Sequence, residues 1–256
     1  RLLEADKSFR VSKTSKSSAL LRTNIAVLKA RLNRSTREEA FVEISRCARL
    51  AAGRSLGVIE AFCDFAPGVS AAADVERLVN QAAEWHDPSD MLSVRARHAY
   101  LMTDFDQASR LAIEWARVEP LNWLAVTHSL FMESVWCRRY SAAAERGLAS
   151  LVRFKSNQDV INNVAYALAM AGRSTEALEL VRQLSEDDPV HVATFGLALL
   201  ASGEVQQGLR MYRSAFEIAG LNGDSSGGKP ETIRPLIALN LRIVLKELQI
   251  GEDLVG

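Results

Sequence analysis

The sequence predicts an all-α fold: an α-solenoid of about five helix-turn-helix repeats, with an N-terminal helical pair before them and a C-terminal capping helix after them. Three observations predict it. Prolines recur at near-equal intervals, Pro88 and Pro120 standing 32 residues apart and Pro120 and Pro189 standing 69 apart. Turn phrases recur within helical apolar pattern, at Thr103 to Ala108, Arg138 to Ala143, Ala171 to Ala177 and Ser202 to Gly208, and their last small residues are 35, 34 and 31 apart. Finally, Ile233, Leu236, Ile237, Leu241, Val244, Leu245 and Leu248 near the end of the chain keep helical spacing.

The elements follow in order. Residues 1–17 are basic and serine-rich and read as a flexible linker. Residues 18–54 read as a helical pair, 18–33 and 36–53, with Ser35 and Thr36 capping into Arg37-Glu38-Glu39. Repeats occupy 55–222, in units Leu56 to Pro88, Ser89 to Asn122, Trp123 to Asn157, Gln158 to Asp188 and Pro189 to Leu221. The glycine- and serine-rich stretch 223–230 reads as a loop. Residues 231–256 supply a last helix and a tail; a repeat stack needs its open end covered, which makes that helix a cap.

Each turn phrase has a physical reading. Gly172 and Gly203 suit the left-handed conformation that ends a helix. Ser174-Thr175-Glu176 offers an N-cap for the helix after it. Small residues at Ala108, Ala143, Ala177 and Gly208 let paired helices approach closely. A proline closing a repeat cannot continue the helix before it and suits the first turn of the next. The unit Gln158 to Asp188 is the clearest, with Asn162-Asn163-Val164-Ala165-Tyr166-Ala167-Leu168, then Gly172, then Glu176-Ala177-Leu178, then Asp188-Pro189.

This order resembles the tetratricopeptide repeat, a helix-turn-helix unit of about 34 residues. The resemblance extends over residues 89–221 and more faintly over 20–88. Two positions depart from the pattern: Arg95 stands where a packed apolar residue is usual, and Gly208 replaces the usual alanine, weakening its helix by up to about 1 kcal/mol.

The resemblance implies that the first helix of each pair lines a concave face that grips a protein or peptide. In register, that lining is Ser93, Arg97 and Tyr100, then His128, Met132 and Trp136, then Asn162, Asn163 and Tyr166. Ala193, Thr194, Leu197 and Leu200 follow and make the face apolar. Asn162 and Asn163 can donate to and accept from a peptide backbone. Tyr100, Trp136 and Tyr166 give flat apolar area with a polar tip, and Arg97 suits a carboxylate. As Arg97 alone is basic in this set, a clamp for a C-terminal carboxylate is incomplete. Among the tryptophans, Trp85 and Trp115 are 30 apart and read as packing between repeats, and Trp123 as packing at the start of a repeat.

Residues with catalytic chemistry lack the necessary spacing. His86, His98, His128 and His191 form no His-Glu-x-x-His or similar ligand set. Cys47, Cys63 and Cys137 lie in helical pattern and read as small hydrophobes. Residues 223–229 match the spacing of a phosphate-binding loop, but Pro230 stands where Ser or Thr would hold magnesium, and no strand precedes it. The reading is therefore a non-enzymatic interaction module with no cofactor and no metal.

The 256 residues, with 48% apolar and 24% charged, suit a globular chain, and no apolar run approaches the roughly 18–20 residues that span a bilayer. Three cysteines without paired spacing point to the cytoplasm. The net charge is zero but uneven: residues 1–54 carry 13 Lys and Arg against 5 Asp and Glu. Nucleic-acid contact through 1–54 is therefore an alternative. Another follows from the opening Arg1: an accessory domain of a larger enzyme, such as a nuclease, transferase or signalling protein, with its catalytic part upstream. Self-association through repeat faces or the last helix is a third.

Overall fold

The computed structural model describes residues 16–32, 34–222 and 230–250. Most of the basic linker (1–15), the glycine-rich loop (223–229) and the tail (251–256) lie outside the described residues.

Among the described residues the chain forms α-helices α1 (Lys16–Arg31), α2 (Arg37–Ala51), α3 (Leu56–Phe65), α4 (Ala72–Ala82), α5 (Leu92–Leu101), α6 (Phe105–Val118), α7 (Trp123–Phe131), α8 (Tyr140–Phe154), α9 (Gln158–Met170), α10 (Ser174–Val181), α11 (Pro189–Ala201), α12 (Val205–Asn222) and α13 (Pro230–Glu247). A 3-10 turn, Gly68–Ala71, precedes α4, and a π-helical segment, Met132–Trp136, extends α7. The fold is all-α, with five helical hairpins between an opening pair and a closing helix. It divides into two compact units at Val118/Glu119.

In the first unit, α1, α3 and α5 pack in a row, each against its own second helix, α2, α4 or α6. Ile44, Val58, Ile59, Val75, Met91 and Val94 are almost fully buried there. In the second unit, α7, α9 and α11 form the row, backed by α8, α10 and α12. α13 packs on α11 and α12, where a further first helix would stand. Covered from both sides, α11 is buried round nearly its whole circumference, which explains why its sequence is apolar throughout.

Local signals set the ends of these helices. The Thr36 hydroxyl accepts from the Glu39 amide at 3.1 Å, and the Glu39 carboxylate accepts from the Thr36 amide at 2.8 Å, completing a capping box. Asn122, Asn157 and Asp188 open α7, α9 and α11, their side chains accepting from the amides of Leu124, Val160 and Val190 at 3.0, 3.0 and 2.8 Å. Pro189 takes the first helical position of α11, where no amide is needed. The turns within successive hairpins place one residue each in the left-handed region: Thr103 (φ 60°), Arg138 (φ 53°), Gly172 (φ 79°) and Gly203 (φ 89°).

Several sequence expectations change. Ser174 begins α10 and does not cap it; Arg173 holds the N-cap position without a side-chain cap. Pro88 and Pro120 lie in turns ahead of α5 and α7, so of these three repeat-closing prolines Pro189 alone opens the next helix directly. Trp115 is buried, but Trp85 is 52% exposed, with the Arg54 guanidinium 4.1 Å above its ring. Trp123 is 38% exposed at the helix start. Gly208 is no mere weakness, since a Cβ there would meet the Gly196 carbonyl oxygen and Leu200. The π segment had no signal in the periodicity.

Candidate functional site

The candidate site is the first-helix face, taken unit by unit. In the first unit, Ser93, Arg97 and Tyr100 project from α5. Ser93 is buried, and its hydroxyl donates to the Glu60 carboxylate of α3. Arg97 Nε donates to Asp64 Oδ1 at 2.8 Å, and the guanidinium lies 5.2 Å from the Trp115 ring centroid. The expected carboxylate partner of Arg97 is thus supplied by the chain itself, one hairpin earlier. Tyr100 is half-buried, which raises its phenol pKa, and its ring centroid lies 6.0 Å from that of Phe105.

The predicted residues of the second unit separate into two groups. His128, Asn162 and Asn163 are partly exposed, and Trp136 is 39% exposed at the end of the π segment. Met132 and Tyr166 are buried, so neither presents a free surface. Met132 is turned into the core at the start of the π segment, where the helical register changes. Asn162 Oδ1 is buried without a hydrogen-bond partner. Ala193, Thr194, Leu197 and Leu200 are all buried, so the expected apolar stretch of groove is covered.

Tyr166 is held by α13. Its phenol is hydrogen-bonded to the Asn240 side chain, and the Tyr212 hydroxyl donates to Asn240 Oδ1 at 2.7 Å. Burial, reinforced by nearby Tyr140, pushes the Tyr166 phenol up to about 12; burial holds that of Tyr212 well above its usual value. At the other end of α13, Glu247 accepts from Arg138 Nη1 at 2.7 Å. Arg138 sits in the turn between the π segment and α8. The closing helix therefore does more than cap α11 and α12: it reaches back to α9 and to the α7–α8 hairpin. The sequence reading missed Asn240, Glu247, Arg138 and Tyr212. One signal was available, an asparagine inside the apolar stripe between Ile237 and Leu241.

A buried ion pair lies beside this face. Glu133, in the π segment, is 2% exposed, and its carboxylate accepts from Arg146 Nε of α8 at 3.0 Å. Among the described residues no group of three or more His, Cys, Asp or Glu side chains is placed to hold a metal ion. Burial, acting with the Asp64 charge, pushes the Cys63 thiol up to about 12, and burial raises that of Cys47, which makes both poor nucleophiles.

No protein-family model matches the chain, and no curated protein does. A tetratricopeptide repeat protein from Parabacteroides merdae ATCC 43184 matches it in structure, with 97% of this chain and 92% of that one covered, a TM-score of 0.56 and 14% identity. The chain has the tetratricopeptide-repeat fold. Two structures of MamA are also similar: MamA MSR-1 C2, at 17% identity over 59% of this chain and 91% of that one with a TM-score of 0.44, and MamA D159K mutant 1, at 17% identity over 59% and 92% with a TM-score of 0.43. In tetratricopeptide-repeat terms, α3, α5, α7, α9 and α11 are the first helices of the five repeats, and α13 is the closing helix.

Proposed function

We propose that the chain is a non-enzymatic protein–protein interaction module, a scaffold, adaptor or regulatory arm, that binds a protein or peptide on its first-helix face. The fold supports this, because repeated hairpins present a row of side chains suited to a long ligand. The residues that carry it are Asn162 and Asn163, adjacent and partly exposed on α9, whose side-chain amides can donate to and accept from a peptide backbone. The buried thiols Cys47 and Cys63, neither in a disulfide, are in keeping with a reducing, cytoplasmic setting. Among the described residues no helix is long and apolar enough to cross a membrane.

The test is capture of partners from native lysate by the parent and by an Asn162→Ala, Asn163→Ala variant whose helicity and melting temperature match the parent. A partner held by the parent and lost by the variant supports the reading. Equal capture puts binding elsewhere, and residues 1–54 would be examined next, for nucleic acid or an acidic partner. Part of that segment is already engaged: Arg22 and Arg46 pair with Glu43, Arg37 lies 5.1 Å from the Phe65 ring centroid, and Arg54 lies over Trp85. If the chain serves instead as the accessory arm of an enzyme, the captured partner or the longer gene product would carry the activity.

A further inference from the structure

The proposed face of the second unit already holds a ligand of known sequence, the chain's own α13. Its buried side chains, Ile233, Ile237, Val244 and Leu245, form an apolar stripe. Asn240 stands within that stripe and bonds two tyrosines, Tyr166 of α9 and Tyr212 of α12. Glu247, seven residues further on, meets Arg138. These contacts fall on three successive hairpins, which a simple end-cap does not require. The solvent side of α13 keeps Leu236 and Leu239 more than half exposed, so the helix is packed along one side only.

We propose that α13 is a built-in occupant of this face, and that the external partner of the face is an amphipathic helix of the same design, entering as α13 leaves. The inference rests on the interaction reading above and names its ligand class. The required chemistry can be read from α13: apolar residues at the spacing of Ile233, Ile237, Val244 and Leu245, a side-chain amide to satisfy Tyr166 and Tyr212, and a carboxylate seven residues later for Arg138. The amide matters most. Tyr212 is almost fully buried and Tyr166 nearly so, and each hydroxyl loses its side-chain amide partner when Asn240 leaves. A helix with an aliphatic residue at that point leaves two buried hydroxyls unsatisfied. The charge sets direction, because only one orientation of the helix brings its carboxylate to Arg138.

The tether governs the affinity. Joined to α12 through residues 223–229, α13 competes at an effective concentration on the order of millimolar. A free helix therefore binds the parent chain weakly, and binds well once α13 is loosened. The probe is a fluorescein-labelled peptide of residues 230–250, followed by anisotropy with the full chain. It should bind an Asn240→Ala chain at least about ten-fold more tightly than the parent, since the peptide restores the amide that the tethered helix has lost. The same peptide carrying Asn240→Ala should lose that advantage. Arg138→Glu is an exposed change that spares the core, and it keeps the test open should the Asn240→Ala chain fold poorly. An Arg138→Glu chain should prefer a Glu247→Arg peptide to the parent peptide.

Equal binding of the parent peptide to the parent and Asn240→Ala chains, or no binding to either folded chain, overturns the proposal. So does a preference of the Arg138→Glu chain for the unchanged peptide. A parent chain that runs as a dimer with α13 exchanged between copies overturns the choice of an external occupant. If lysate capture depends on Asn162 and Asn163 while the peptide fails, only the helix inference falls. If the peptide binds as expected while capture ignores those asparagines, it is the broader reading that fails.

Discussion

Gly196 of α11 and Gly208 of α12 face each other so closely that neither has room for a methyl group. A Cβ built on Gly208 would stand 2.8 Å from the Gly196 carbonyl oxygen and 2.7 Å from Leu200 Cγ. One on Gly196 would stand 2.9 Å from the Gly208 carbonyl oxygen and 2.8 Å from the Tyr212 ring. Backbone contact is what lets the last hairpin close, and it sets Tyr212 against α11. Gly208→Ala should gain up to about 1 kcal/mol in helix propensity and lose more to overpacking, typically about 1–3 kcal/mol. Net destabilisation in urea unfolding is the expected result; a stabilised variant would mean that the two helices can part at little cost.

Glu133 and Arg146 make a second prediction, on the opposite principle. The carboxylate is buried, and the guanidinium, itself 39% exposed, is its cationic partner. Arg146→Met leaves that carboxylate buried without a counter-charge, and the chain should lose roughly 3 kcal/mol. Adding Glu133→Gln to the same chain should recover much of the loss, since a neutral amide costs far less to bury. A double variant no more stable than Arg146→Met would show that Arg146 acts through packing of its aliphatic stem.

Thr103 and Gly172 occupy the same point in different hairpins, with left-handed φ values of 60° and 79°. Glycine adopts this conformation freely, whereas a β-branched residue does so at a cost. Thr103→Gly should therefore stabilise the first unit by about 1 kcal/mol, read as an upward shift in the urea midpoint. Gly172→Ala should destabilise the second by a similar amount, although nothing lies within 4 Å of the added methyl.

Short-range signals carried most of the legible information. The capping box at Thr36, the left-handed glycines and the apolar stripes need only neighbours within one turn, so the sequence displays them directly. The αL positions at Thr103 and Arg138 went unread, because their residue types argue against that conformation. What could not be read was every contact made across hairpins. Arg97 looked free because its partner, Asp64, lies 33 residues away. Met132 and Tyr166 looked exposed because register alone does not reveal a π segment or a helix returning from residue 240. Trp85 misled for the converse reason: its spacing from Trp115 implied burial, yet it lies beyond the end of α4, where no hairpin covers it.

The tyrosines supply a prediction in pH. All four phenols are raised by burial, Tyr166 to about 12 and Tyr212 well above its usual value. In the unfolded chain they ionise near 10. Between about pH 10 and 12 the unfolded state loses these protons while the folded state keeps them, so stability falls as pH rises. Below pH 10 both states are protonated and these groups contribute no slope. Each buried phenol should steepen the fall by about 1.4 kcal/mol per pH unit within that window. Absorbance near 295 nm should therefore show Tyr166 and Tyr212 ionising late and together with loss of helical circular dichroism. Asn240→Ala should move that step to lower pH, because α13 then covers the two rings less well. Four phenols titrating near 10 in a chain that stays helical would contradict the burial of Tyr166 and Tyr212, and with it the seat of α13.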